Sequence, residues 1–475
     1  MAPESDCPVH PALVVGAGPV GLTSALALRA LGVPVRLLEA EPEDRVRPGS
    51  RALYVHQDSL ALLDRMRPGL GSAIAERGIR WSGRRTLFGG RQVFARDHPE
   101  PPAGGALPPY ACLRQIETEG FLLDACRAAG VEFAWSARVR TVRTTPEQVE
   151  VVAEDGRSWS SRYVVAADGG RSAVRAAIGR SMVGGRSDSH HVVVDLADDP
   201  EAPEPALRTF HYRHPRLDGR HVLVVPFAGG RQVDVQCRPD EDPDDLLDAR
   251  RLREWLPRVV DASYLDRILW AARYPFLQLV ADSFVDEHRR VLLAGEAAHL
   301  FAPFGARGMN SGFADADAAA TAVATALTAT GPEEARGAVE DYATERSAAA
   351  RHNRDAAGAA LSHMRPRSAV RSPEPGFGVA TRASCPRGTP SPSMHSLSEL
   401  GDPVRRDVDV RGRRLRREQR HHQETLAVGR HGELVFIPTV EQHARLVGRE
   451  LGAVGGRRHH HHLVLLPVEQ LASGG

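Results

Sequence analysis

Three stretches of this 475-residue chain set glycines and acids at spacings suited to binding phosphate and sugar. The first, Gly16-Ala17-Gly18-Pro19-Val20-Gly21, follows an apolar run and opens a helical pattern, with Glu39 eighteen residues after Gly21. In such a turn the first glycine permits the bend, the second lets the backbone approach a pyrophosphate, and the third lets helix pack on strand; the helix N-terminus faces the negative charge. An acid at position 39 accepts hydrogen bonds from ribose hydroxyls and repels a 2′-phosphate. The pattern predicts an adenine dinucleotide, FAD or NAD, and disfavours NADP at this site. The second stretch puts Asp168-Gly169-Gly170 at a strand end, ahead of Arg171 and Arg175, and the third runs from Gly295-Glu296 through His299, Pro303 and Gly308-Met309-Asn310 to Gly312. His211, Tyr212, His214 and His221 could each take a proton from a phenol. With so many candidates, each reads rather as a surface or packing residue, and His299 as structural. The chain has no lysine: all 61 positive side chains are arginine. That excludes Schiff-base, P-loop and kinase-lysine chemistry.

These residues need elements to hold them. Residues 12–40 read as a β-α-β unit: a strand at 12–15, the glycine turn, a helix over 22–31 stopped at Gly32, and a strand over 33–39. Helical spacing returns over 50–66, 117–129 and 245–255, in an alanine-rich stretch at 313–329, and over 333–364 with breaks expected near Gly337 and Gly358. Asp315 and Asp317 argue for a buried amphipathic helix at 313–329 rather than a membrane span. Strand patterns fall at 149–153, 163–167 and 290–294, and the short runs at 191–196, 207–211, 222–227 and 232–237 look like an antiparallel sheet. Short strands are also expected at 434–437 and 463–466.

The net charge of +1 hides an asymmetry: residues 365–430 carry +7 and residues 431–475 are neutral, leaving −6 for residues 1–364. A mildly acidic body is a poor nucleic-acid binder. The five cysteines (Cys7, Cys112, Cys126, Cys237 and Cys385) are scattered and odd in number, which supports neither a disulfide framework nor a zinc site and suits a reducing compartment. With no basic-then-apolar leader at its start and no long uncharged apolar run, the chain is expected to be cytoplasmic, with no membrane partner. Residues 365–475, rich in Arg, Pro, Ser and Gly and carrying the run 459–462 of histidines, read as a basic linker, a small C-terminal module, or partly an out-of-frame translation.

Taken in order, the three motifs make residues 12 to about 360 resemble the FAD-dependent aromatic hydroxylases, the group A flavin monooxygenases of the para-hydroxybenzoate hydroxylase type. The resemblance implies an α/β fold in which an FAD-binding Rossmann-like domain of the GR2 type (1–182 and 282–364) carries an inserted antiparallel β-sheet substrate domain (183–281, with about 76–109). It implies that Gly16, Gly18, Pro19, Val20, Gly21 and Glu39 hold the ADP half of FAD, with Asp168 and Gly169 also in the cofactor site. Gly295 and Glu296 would grip the ribityl chain, and the amides around Gly308, Met309 and Asn310 would face the flavin's N1/C2 edge, where a helix dipole stabilises negative charge. Glu296 stands where the family usually has aspartate. Arg51 and Gln115 match an arginine and a glutamine that relatives place by the flavin, and Pro303 matches a proline over the ring near substrate. The implied chemistry is reduction of FAD by NADH or NADPH, O2 addition to a C4a-hydroperoxide, and oxygen transfer to a small aromatic substrate, phenolic or polyketide-like. The alternatives are an oxidase, dehydrogenase or epoxidase of the same fold, or a non-catalytic FAD-binding protein; the lysine-dependent halogenases are excluded.

Overall fold

The computed structural model describes residues 9–45, 53–98, 106–202, 204–238, 241–364, 425–428 and 434–437. The chain divides into two units, Met1–Arg365 and Pro366–Gly475. In the first, β1 (His10–Val15), α1 (Pro19–Ala30) and β2 (Val35–Leu38) form the expected β-α-β unit. There follow β3 (Tyr54–His56), α2 (Gln57–Met66), α3 (Leu70–Arg77), β4 (Gly83–Phe88), β5 (Arg91–Asp97), β6 (Tyr110–Cys112) and α4 (Gln115–Ala128). Next come β7 (Glu132–Ala134), β8 (Val139–Thr144), β9 (Val149–Ala153), β10 (Ser158–Ala166), α5 (Ala173–Ala177), β11 (Met182–Ala197), β12 (Leu207–Tyr212), β13 (Val222–Phe227) and β14 (Gly230–Gln236). α6 (Pro243–Leu247), α7 (Ala249–Trp255), β15 (Ile268–Ala281), β16 (Val291–Leu293), β17 (His299–Leu300), α8 (Arg307–Thr328) and α9 (Pro332–Met364) complete it.

One sheet has the order β7-β2-β1-β10-β9-β8, with β16 also pairing β10; β2, β1, β10 and β16 run parallel. Leu13, Val14, Val164, Val165 and Leu292 are fully buried there. Such unbroken apolar runs are what a parallel strand covered on both faces requires. α8 lays Phe313, Ala319, Ala320 and Val323 into this core. The second sheet has the order β17-β15-β11-β14-β13-β12-β4-β5. It is antiparallel except for β12 with β4, which run parallel, a departure from the expected all-antiparallel sheet. The reason is connectivity: β4 comes from the chain before β6, far from the hairpins that build β11 to β14.

Three further expectations need correction. Residues 54–56 are a strand rather than the start of a helix, because Tyr54 and His56 pair with Cys112 and Tyr110 of β6; only 57–66 is helical. The helix expected over 245–255 is split at Asp248, whose carboxylate caps α7 by accepting the Arg250 and Arg251 amides. α9 continues through Gly337 and Gly358, since Val339, Tyr342, Ala350, Ala357 and Leu361 keep one face buried along its length. In the second unit, Thr425–Val428 and Leu434–Ile437 pair antiparallel; 463–466 lies outside the described residues.

Candidate active site

The three glycines of the first motif do different work. Gly16 has φ +98°, and a Cβ there would lie 2.5 Å from the Ala167 carbonyl oxygen; at Gly21 it would meet the Gly16 oxygen at 1.8 Å. These two positions are closed by backbone. At Gly18, the N-cap of α1, a Cβ would meet nothing within 4 Å. The gap lies where the unpaired amides of the first helical turn point, and an anion held there completes their hydrogen bonds. Glu39 is buried at the end of β2. Its Oε2 accepts the Ala17 amide (2.6 Å) and its Oε1 pairs with Arg45 (2.7 Å). Burial pushes its pKa up, but these donors prevail and hold it below the usual carboxylate value. Arg45 also donates to the Ala17 carbonyl and lies over the Trp135 ring.

Asp168 follows β10. It accepts from the Ser172 hydroxyl (2.5 Å) and the Val174 amide (3.1 Å), which fixes the turn through Gly169 (φ +81°) into α5. Burial outweighs these bonds and raises its pKa. Arg175 returns from α5 to the Gly170 and Ala297 carbonyls, tying the second motif to the third. Gly295 (φ +59°) and Gly312 both close on Val20: a Cβ would lie 2.8 and 2.3 Å from Val20 Cγ2. Glu296 accepts the Gly170 amide and is solvent-exposed though crowded by protein, as a side chain on a concave wall is; that crowding raises its pKa. Arg346 and His299 both pair with the buried Asp315 (2.7 and 2.6 Å), which also accepts the Gly295 amide (3.0 Å). Asp315 thus stands on the inward face of α8 and locks the turn carrying Glu296.

At the start of α8, the Asn310 carboxamide accepts from the His56 amide and the Ser59 hydroxyl and donates to the Tyr54 and Ala306 carbonyls. Its side chain therefore clamps β3 to α8, whose first turn, holding Gly308 and Met309, receives no side-chain cap. Pro303 lies in the preceding loop, its carbonyl accepting the Ala306 amide. Gln115 opens α4 and donates to Glu119 (2.7 Å). Arg51 lies outside the described residues.

Sheet register shows what faces this ensemble. Val192, Val194, Val222, Val224, Val233 and Val235 pack against α7, so the alternate residues occupy the opposite face. One row there sets Trp270, Asp195, Gln232 and Val225 side by side, with Arg208 beside Arg84; the next but one sets Tyr274, His191 and Gln236. This face meets β3 and β6: Val225 packs with Trp81, Tyr110 and Tyr54, and Trp81 donates to the Pro226 carbonyl. His191 Nδ1 bonds Asp234 (2.6 Å), and its ring stacks on Phe276, which touches Phe304 beside Pro303. Of the four proton-acceptor candidates, Tyr212 and His221 fall on this face and His211 on the other, packed with His214. Burial pushes His211 and His221 down to about 4. Sequence reasoning missed Arg45, His191, Asp195, Arg208 and Asp234. Strand alternation, read once the strands were placed, was the signal for the last four.

The glycine turn, with acids following β2 and β10, is the pattern of a dinucleotide-binding protein. Residues 9–357 match the family model described as FAD binding domain, and the chain belongs to that family, that of the FAD-dependent aromatic hydroxylases. It is 28% identical to a 3-(3-hydroxy-phenyl)propionate/3-hydroxycinnamic acid hydroxylase of Mycolicibacterium gilvum (74% of this chain, 59% of the relative). It is 29% identical to a 6-methylpretetramide 4-monooxygenase of Streptomyces rimosus (73% and 60%). Among solved structures, p-nitrophenol 4-monooxygenase from Pseudomonas putida superposes with a TM-score of 0.64 at 25% identity, covering 76% of this chain and 91% of that one. The chain spans about three-fifths of the length of the two curated relatives named. No helix among the described residues is long and apolar enough to cross a membrane, and no cluster among them could hold a metal ion. The residues present fit FAD: open space at Gly18, unpaired amides at two helix starts, and Glu296 exposed on a concave wall.

Proposed function

We propose that this protein is an FAD-dependent monooxygenase that draws electrons from NADH or NADPH and places one atom of O2 on an electron-rich aromatic molecule, as its relatives' names describe for them. The observation that supports this best is the polar and aromatic sheet face set against the dinucleotide cleft: a redox carrier without a substrate has no use for it. Bound flavin supplies the activation of O2 and the oxygen transfer. Gly16, Gly18, Pro19, Val20, Gly21 and Glu39 hold the ADP portion, and Asp168, Gly169, Gly295 and Glu296 the linking chain. The opening amides of α8 at Gly308, Met309 and Asn310 would lend positive potential to the bound group. The Pro303 loop and Phe304 would help to exclude water from it. His191 Nε2 is buried with no partner among the described residues and its Nδ1 bonds Asp234, so this pair is held inside the sheet face. Purified FAD-loaded protein, given NADH or NADPH and a panel of phenols, should consume O2 faster with substrate and incorporate ¹⁸O from ¹⁸O2. NAD(P)H consumption without incorporation would make it a dehydrogenase or oxidase, and failure to retain FAD would refute every flavin reading.

A further inference from the structure

β5 is the last strand of its sheet, paired with β4 on one side and with no strand on the other among the described residues. All seven of its residues, Arg91–Asp97, are exposed, so neither face of the strand is covered. Of the eight large apolar side chains exposed among the described residues, Phe88, Val93 and Phe94 stand on this one hairpin, Val93 at 55% and Phe94 at 45% of full exposure. An edge strand that shows apolar side chains and backbone groups together is a template for another strand. Charge is the usual protection, and Arg91, Arg96 and Asp97 supply it here. Their order along the strand decides which partner they admit.

Two copies of one edge strand meet antiparallel about a two-fold axis, each residue facing the position equally far beyond that axis on the other copy. With the axis at Phe94, Arg91 faces the second copy's Asp97, Gln92 faces Arg96, Val93 faces Ala95, and the two Phe94 rings face each other. Opposite charges meet at both ends and apolar groups in the middle, the pairs that stabilise an antiparallel ladder. An axis at Val93 would set Gln92 against Phe94 and Asp97 against Gly89; an axis at Ala95 would set Asp97 against Val93 and Arg96 against Phe94. Asp97 holds Arg85 of its own chain (2.6 Å) yet keeps 78% of its side chain exposed, which leaves room for a second arginine. A bulge at Val93, between the pairs Thr86–Phe94 and Leu87–Gln92, adds twist that both strands of a two-fold pair share. We propose that β5 is a self-association surface: two copies of this chain join edge to edge through β5, in the register centred on Phe94, so that one sheet runs through the dimer. The chemistry proposed above does not enter this inference. One strand pair buries less than a permanent dimer needs, so the association should be reversible, with a dissociation constant on the order of micromolar.

Sedimentation velocity of the full chain, run from about 1 to 100 μM, tests this. Wild type should pass from monomer toward dimer across that range, and Phe94→Lys should stay monomeric throughout. Arg91→Asp sets acid against acid at both ends of the pair and should weaken dimerisation about tenfold or more. Adding Asp97→Arg to it reverses the pair and should bring the dissociation constant back to within about threefold of wild type. All three positions are exposed, so the melting temperature of each variant should match wild type, which separates loss of association from loss of fold. A wild type that is monomeric at every concentration, a dimer that survives Phe94→Lys, or a double variant no better than Arg91→Asp overturns the proposal. So does association that appears only in a chain ended at Met364, an outcome that gives the edge strand to residues 366–475 instead.

Discussion

Val20 shows why two glycines nearly three hundred residues from the first motif are required: Gly295 and Gly312 leave the space its methyls fill, so the cofactor turn and the start of α8 are packed by one side chain. The glycines of the first motif divide in the same physical way. Gly18→Ala adds a methyl to open space at a φ of −78° that alanine adopts freely, so the apoprotein should keep its melting temperature while FAD binds at least tenfold more weakly. Gly21→Ala drives a methyl into the Gly16 carbonyl and should lower the melting temperature of the apoprotein by several degrees. Calorimetry and FAD titration of both variants check the contrast; equal stability losses would refute it.

At the level of elements, β11 carries the polar side chains that sequence inspection passed over, because period-two alternation acquires meaning only when a partner shows which face is covered. The apolar face of β11 is visible as valines, but the sequence does not say what covers the face that His191 and Asp195 share. The structure buries both, with His191 bonded to Asp234 and stacked on Phe276. Asp195 bonds Gln232 (2.7 Å), and burial raises its pKa to about 6 from a free value near 3.8. A carboxyl whose pKa is raised by folding stabilises the native state while protonated. That contribution is complete below pH 4 and is lost as pH climbs through 6, a swing on the order of 2–3 kcal/mol. Asp195→Asn keeps an oxygen for Gln232 and does not titrate. Its urea midpoint should therefore gain on wild type between pH 4 and pH 7.5, and a constant difference between the two proteins across that range would refute the assignment. The partners that tie β3 to β6 were equally hidden: Tyr54 and His56 read as helical until the pairing with Tyr110 and Cys112 took precedence over spacing.

For the whole molecule, the β-α-β unit, the three motifs and four of the eight strands of the second sheet, β11 to β14, could be read from sequence, because glycine turns and buried apolar runs are local signals. The parallel pairing of β4 with β12, the Asp315 network and the Arg45 to Glu39 pair could not, since each joins residues whose approach depends on the finished topology. The uneven charge, −6 before residue 365 and +7 over 365–430, points the same way as the division of the chain into two units. Every described residue assigned here to cofactor or substrate lies within 16–312. The family match ends at 357, and α9 closes the core of the first unit with Val339, Tyr342 and Leu361. If those contacts suffice, a chain ended at Met364 should retain FAD with an affinity within about twofold of the full chain and melt at the same temperature within about 2 °C, the shift that a loss of roughly 1.5 kcal/mol causes in a unit of this size. FAD titration and calorimetry on the purified pair decide it. A shortened chain that binds FAD tenfold more weakly would show that residues 365–475 act on the flavin domain, and would make their net +7 a matter of function rather than composition.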